Sequence, residues 1–138
     1  MLMVYLPLRQ RVRELSRLTW VPDGPTMRGM EPDYCVIMTT CSDAAATAGI
    51  VDALIAERLA ACIQTMPVGS TYRWKGEVAR EQETLLLIKT TSARYAAVEA
   101  RTRALHPYEV PEILQVPVTA GFAPYLRWVD ESVAGGAG

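Results

Sequence analysis

Apolar and polar positions fall into clear periods from Asp33 onward, and those periods predict the elements of a small domain. YCVIMTTC, residues 34 to 41, is a continuous β-branched and apolar run, short enough to be a buried strand. Ser42 and Asp43 then supply capping groups for a helix running to about Leu59, with Ile50, Ala53 and Leu54 on its inner face. CIQTMPVGSTYRW, residues 62 to 74, is strand-like but carries Pro67 and Gly69, so it must bend or lie at a sheet edge, where a missing N–H does no harm. Trp74–Lys75–Gly76–Glu77 reads as a tight hairpin, with glycine supplying the positive φ of a two-residue connection. The returning strand climbs through polar residues into TLLLIKT, apolar enough for the centre of a sheet.

Ser92 opens a second predicted helix, along which Tyr95, Val98, Thr102 and Leu105 repeat at three-and-four spacing until Pro107 ends it. ILQVPV is a short strand, and Pro124 in a first helical turn starts a last helix through Tyr125, Leu126, Trp128 and Val129. The order is βαββαβ plus a terminal helix. Two split βαβ units of this kind make an α+β, ferredoxin-like sandwich, with an antiparallel sheet and both main helices on one face. Residues 33–133 are read as this one domain. Residues 1–32 form an N-terminal arm, disordered or the product of an upstream start codon, and residues 134–138 form a flexible tail.

Composition narrows the function classes. The chain of 138 residues is half apolar and 21% charged, the balance of a globular protein with room for one core. Its formal net charge of −1 hides an asymmetry: residues 1–30 hold five arginines against Glu14 and Asp23, so the body is mildly acidic. An acidic body lacks the concentrated basic face that phosphate neutralisation needs, so nucleic acid is not an expected partner. No run approaches the eighteen or so apolar residues of a membrane span. Cys35, Cys41 and Cys62 are odd in number with no CxxC pair, which reads as small buried hydrophobes in a reducing, cytoplasmic setting.

The chemistry gathers in HPYEVPEIL, residues 106 to 114, which contains the only histidine. His106 follows a predicted helix, where the end dipole favours a cation. Equally, it can serve to finish that helix, with Pro107 and Pro111 stiffening the connection. Glu109 and Glu112 are either rim charges or oxygen ligands. An imidazole and a carboxylate within one turn suit Cu(II), Zn(II) or Ni(II). An enzyme is not expected, because no nucleophile is fixed beside the sole histidine.

RLAAC (58–62), YRWKGE (72–77), LIKT (87–90), HPYEVPEI (106–113) and YLRWVDES (125–132) together resemble the CutA family of divalent-cation tolerance proteins, in family order over residues 33 to 133. The resemblance implies a compact homotrimer in which long β2–β3 hairpins pair with neighbouring subunits, which would close backbone groups that such a hairpin otherwise leaves exposed. It also implies reversible binding of a divalent metal, copper(II) foremost and zinc(II) besides, with no organic cofactor.

Family members implicated in soft-metal binding carry a first-strand cysteine where this chain has Thr39. Cys41 lies two residues on, on the same face by strand alternation but displaced by about 6–7 Å. The implied metal residues are therefore His106, Glu112 and Cys41.

A second function is carried by the likeness of this architecture to trimeric PII signalling proteins: an anionic small molecule bound in an intersubunit cleft, with Lys89, Arg73, Tyr72, Trp74, Tyr108 and Glu83 as candidates. A stable trimer serving as scaffold or anchor is the third.

Overall fold

The computed structural model describes residues 32–135. The expected arm, apart from Pro32, and the last three residues of the expected tail lie outside the described residues. Within them the chain order is β1 (Tyr34–Cys41), α1 (Ala44–Ala56), β2 (Cys62–Trp74), β3 (Glu77–Thr91), a 3-10 turn (Ser92–Arg94), α2 (Tyr95–Leu105), β4 (Ile113–Val118) and α3 (Ala123–Val133). The strands form one antiparallel sheet in the order β2-β3-β1-β4. This is the α+β sandwich that the element order predicts.

Alternation sets the two faces of the sheet. Cys35, Ile37, Thr39 and Cys41 on β1 are buried while their neighbours are half-covered. Opposite them stand Thr90, Ile88, Leu86 and Thr84. Together with Ile50 and Leu54 of α1 and Val98 of α2, the apolar members of this face make the core. Each fully buried Leu or Ile contributes about 1.5–3 kcal/mol by leaving water. Pro67 sits in β2, an edge strand, and Pro117 in β4, the other edge, so neither removes a ladder bond from the sheet's interior. Tyr34 points to the opposite face by alternation, and its hydroxyl hydrogen-bonds Asp130, so α3 lies over that end of the second face.

Local chemistry departs from the expected pattern in three places. Asp43 alone caps α1, its Oδ1 accepting from the Ala46 amide at 2.7 Å, while the Ser42 hydroxyl, the other capping group expected, is engaged with the hydroxyl of Tyr108. Helix α1 ends at Ala56 rather than near Leu59. Arg58 there adopts a left-handed φ of 56°, and the amides of Leu59 and Ala60 both turn back to the Leu54 carbonyl. Ser92 opens a 3-10 turn before the α-helix, and its hydroxyl bonds the Pro32 carbonyl.

Candidate functional site

The end of α2, the end of β1 and the segment leading into β4 meet around Thr40. His106 caps α2, its amide donating to the Thr102 carbonyl at 2.9 Å before Pro107 stops the helix. The residue is 8% exposed. Nε2 lies 2.8 Å from the carbonyl oxygen of Thr40, and a carbonyl can only accept, so Nε2 carries the proton. Nδ1 accepts the amide of Tyr108 at 3.2 Å. The Thr40 hydroxyl in turn donates to Oε2 of Glu112 at 3.3 Å. Imidazole and carboxylate are thus joined through one strand residue.

Tyr108 extends this cluster. Its ring meets that of His106 edge-on, with centroids 4.7 Å apart. Its hydroxyl donates to Oε2 of Glu83 at 2.8 Å, the charged acceptor being favoured, and is met by both the amide and the hydroxyl of Ser42. Burial pushes the phenol above its ordinary pKa, and the hydrogen bond to Glu83 adds to the rise while the bonds to Ser42 oppose it. Glu83 is only 7% exposed.

The expected metal residues share a neighbourhood but not a chelate. Cys41 lies on the core face with Thr39, as strand alternation predicts, yet it is 1% exposed and its thiol faces the Asp43 carbonyl at 3.5 Å. Glu112 is exposed. Among the described residues, no three His, Cys, Asp or Glu side chains gather in a group able to hold a metal ion. The imidazole and the carboxylate are linked only through Thr40, and a closed metal site is not built from these residues.

The expected cleft residues divide. Tyr108 and Glu83 belong to the cluster just described. Lys89 stands on β3 opposite Val36 and Cys62, on the sheet face away from the core, and forms no ion pair among the described residues. Tyr72, Arg73 and Trp74 are exposed near the hairpin tip. Trp74 is separated from Cys62, the partner of Lys89, by about 40 Å of strand. The Tyr72 phenol is raised by its hydrogen bond to Glu81, and Lys75 lies 5.6 Å over the Trp74 ring. One chain does not bring these six residues into one pocket.

Thr40 and Ser42 are the members that sequence reasoning missed. Both act across 66 to 72 residues of chain, and a short TTCSD stretch carries no local sign of that use.

Residues 35–132 match the model of the CutA1 divalent ion tolerance protein family. The chain is 44% identical over 98 residues to the divalent-cation tolerance protein CutA of Thermus thermophilus, covering 70% of this chain and 95% of that one. The crystal structure of CutA from Xylella fastidiosa aligns with a TM-score of 0.71 at 41% identity, covering 73% and 98% of the two chains. The structure of a protein described as the periplasmic divalent cation tolerance protein CutA from Archaeoglobus fulgidus aligns at a TM-score of 0.71 and 30% identity, covering 72% and 98%. These names describe tolerance of divalent cations rather than a reaction. No described helix is long and apolar enough to cross a membrane.

Proposed function

The chain belongs to the CutA1 divalent ion tolerance family, and from that premise we propose that it captures a divalent cation reversibly at His106, copper(II) foremost and zinc(II) besides, as a homotrimer. The observation that carries this reading is the convergence of His106 and Glu112 on Thr40. Nδ1 of His106 is held only by the long Tyr108 contact at 3.2 Å, so its lone pair is the one a cation can win. Glu112, joined to the imidazole through Thr40, would supply an oxygen ligand. Cys41 would join only if its thiol turned from Asp43. An imidazole with a carboxylate selects borderline ions over calcium or magnesium. Two protein ligands leave the remaining positions to water or to a second subunit, and this favours weak, exchangeable binding.

Self-association is supported by the second sheet face. Met66, Leu114 and Val116 on that face are exposed, and so are Tyr72, Trp74 and Val78 on the hairpin. A partner copy laid against them removes apolar surface from water and closes strand edges. The same proposal includes a domain over 33–133, with residues 1–32 and 134–138 as arm and tail, and the family match over 35–132 lies within it. It also includes a cytoplasmic setting, which three free cysteines suit.

A second reading rests on Lys89, a half-buried residue whose ammonium makes no ion pair among the described residues. In an assembly it would offer a cleft to an anionic small molecule, with Tyr72, Arg73 and Trp74 brought from a neighbouring hairpin.

Equilibrium Cu(II) binding to the full chain tests the first reading, against His106→Ala and Cys41→Ser, with molecular mass followed by light scattering. Saturation at a fixed ratio per subunit, lost in His106→Ala at unchanged trimer mass, is the expected result. Equal binding by His106→Ala would make the histidine structural and move attention to Lys89.

A further inference from the structure

Arg58 occupies a backbone position that glycine would fill at lower cost. Its φ of 56° is left-handed, a conformation costing a residue with a Cβ about 1 kcal/mol or more. From there Nη1 reaches the Ala134 carbonyl at 3.2 Å, just beyond the end of α3, where a cation complements the helix dipole. That single bond leaves most of the guanidinium fork unused.

Beside it lies an open surface groove of about 380 Å³ between the end of α1 and helix α3, lined by Ile55, Arg58, Ala60, Ala61, Trp128, Glu131 and Ser132. Two charges of opposite sign face this groove, and neither makes an ion pair among the described residues. Two large apolar side chains share it and stay open to solvent, Trp128 at 44% and Ile55 at 43% exposure. The Trp128 indole is held in place by Tyr125, whose ring centroid is 5.5 Å away. The Ser132 hydroxyl is spent on the Trp128 carbonyl at 2.7 Å, so the hydroxyl proton is not free to meet an anion and the groove's positive end is Arg58.

We propose that this groove is a binding site for a zwitterionic α-amino acid with an aromatic or branched apolar side chain. The carboxylate takes the free edge of Arg58, the ammonium meets Glu131, and the side chain lies on Trp128 and Ile55. A plain anion would face the Glu131 carboxylate and a plain cation would face Arg58, so the pair favours a ligand bearing both charges. The apolar walls add area that the charges alone would not select. None of these residues belongs to the cluster around His106, so this site is independent of the cation reading.

Calorimetric titration of the full chain with L-phenylalanine tests the proposal, alongside 3-phenylpropionate, which lacks the ammonium, and 2-phenylethylamine, which lacks the carboxylate. Saturable binding near the millimolar range is expected, weakened about tenfold or more for each analogue. Arg58→Gly and Glu131→Gln should each weaken L-phenylalanine binding by about tenfold or more as well. Glycine suits the left-handed backbone and Glu131 is exposed on α3, so both variants keep the fold, which thermal unfolding verifies. The site is refuted if L-phenylalanine fails to saturate by about 10 mM, if all three ligands bind alike, or if both variants bind as the parent does.

Discussion

The imidazole of His106 ties the end of α2 to the end of β1 by donating its Nε2 proton to the Thr40 carbonyl at 2.8 Å. With Nδ1 accepting from Tyr108, the neutral ring satisfies one strand carbonyl and one loop amide at once. The neutral ring is therefore a clasp between α2 and β1, and a cation that took Nδ1 would compete with the Tyr108 amide.

Removal of this clasp should be costly even without metal. His106→Ala deletes a nearly buried ring and leaves the Thr40 carbonyl without its donor, for an expected loss of about 2–3 kcal/mol in unfolding free energy. Urea unfolding in chelator measures the loss. Amide exchange at Tyr108 should rise in the same variant, because its acceptor is gone. A variant as stable as the parent would mean that the ring contributes nothing to the fold.

Tyr108 links stability to alkaline pH. Its phenol is raised in the folded chain by burial and then by Glu83, so the folded state holds the proton more tightly than the unfolded one. The contribution is complete below the ordinary tyrosine value of about 10 and falls as pH rises through the higher folded value. Tyr108→Phe removes the donor to nearly buried Glu83 and should cost about 1–3 kcal/mol at pH 8. Its stability should also decline less between pH 8 and about 10.5. The phenols of Tyr34, Tyr72 and Tyr95 are raised too, by hydrogen bonds to Asp130, Glu81 and Glu99 respectively, so some slope remains.

These contacts mark the boundary of what the sequence discloses. Period and punctuation are local, and so Pro67 in an edge strand, the Lys75–Gly76 turn and the α2 stop at Pro107 were all legible. The same alternation that predicts β1 correctly puts Cys41 on the face of Thr39. Its depth was not legible, because burial to 1% depends on which helices cover that face. The early end of α1 had no signal either, since the left-handed residue is an arginine and not a glycine. The Thr40 carbonyl that makes His106 a clasp lies 66 residues away. Motif resemblance singled out the segment and could not assign the protons within it.

The hairpin tip offers a test in which packing plays no part. Gly76 has a φ of 83°, and a Cβ added there would meet nothing within 4 Å. Gly76→Ala should therefore destabilise by backbone strain alone, about 1 kcal/mol. Thermal unfolding reports it, and an unchanged midpoint would show that the tip relaxes into another turn.

Two buried threonines should respond with opposite sign to the same change. Thr39 is 0% exposed, packed where β1 pairs with Leu86 and Ile113, and its hydroxyl has no hydrogen-bond partner among the described residues. Valine keeps the shape and removes an uncompensated polar atom, so Thr39→Val should stabilise by about 1–2 kcal/mol. Thr90 is 1% exposed, but its hydroxyl donates to the Leu59 carbonyl at 2.7 Å. Thr90→Val strands that buried carbonyl and should destabilise by about 1–2 kcal/mol. The comparison cancels whatever valine gains generally in a strand, because both sites lie in central strands of the sheet and face its core side. Urea unfolding of the two variants measures it. Destabilisation by both substitutions would mean that the Thr39 hydroxyl finds a partner in the folded protein, an internal water being the simplest, and that the core carries a polar contact at the strand position next to Thr40.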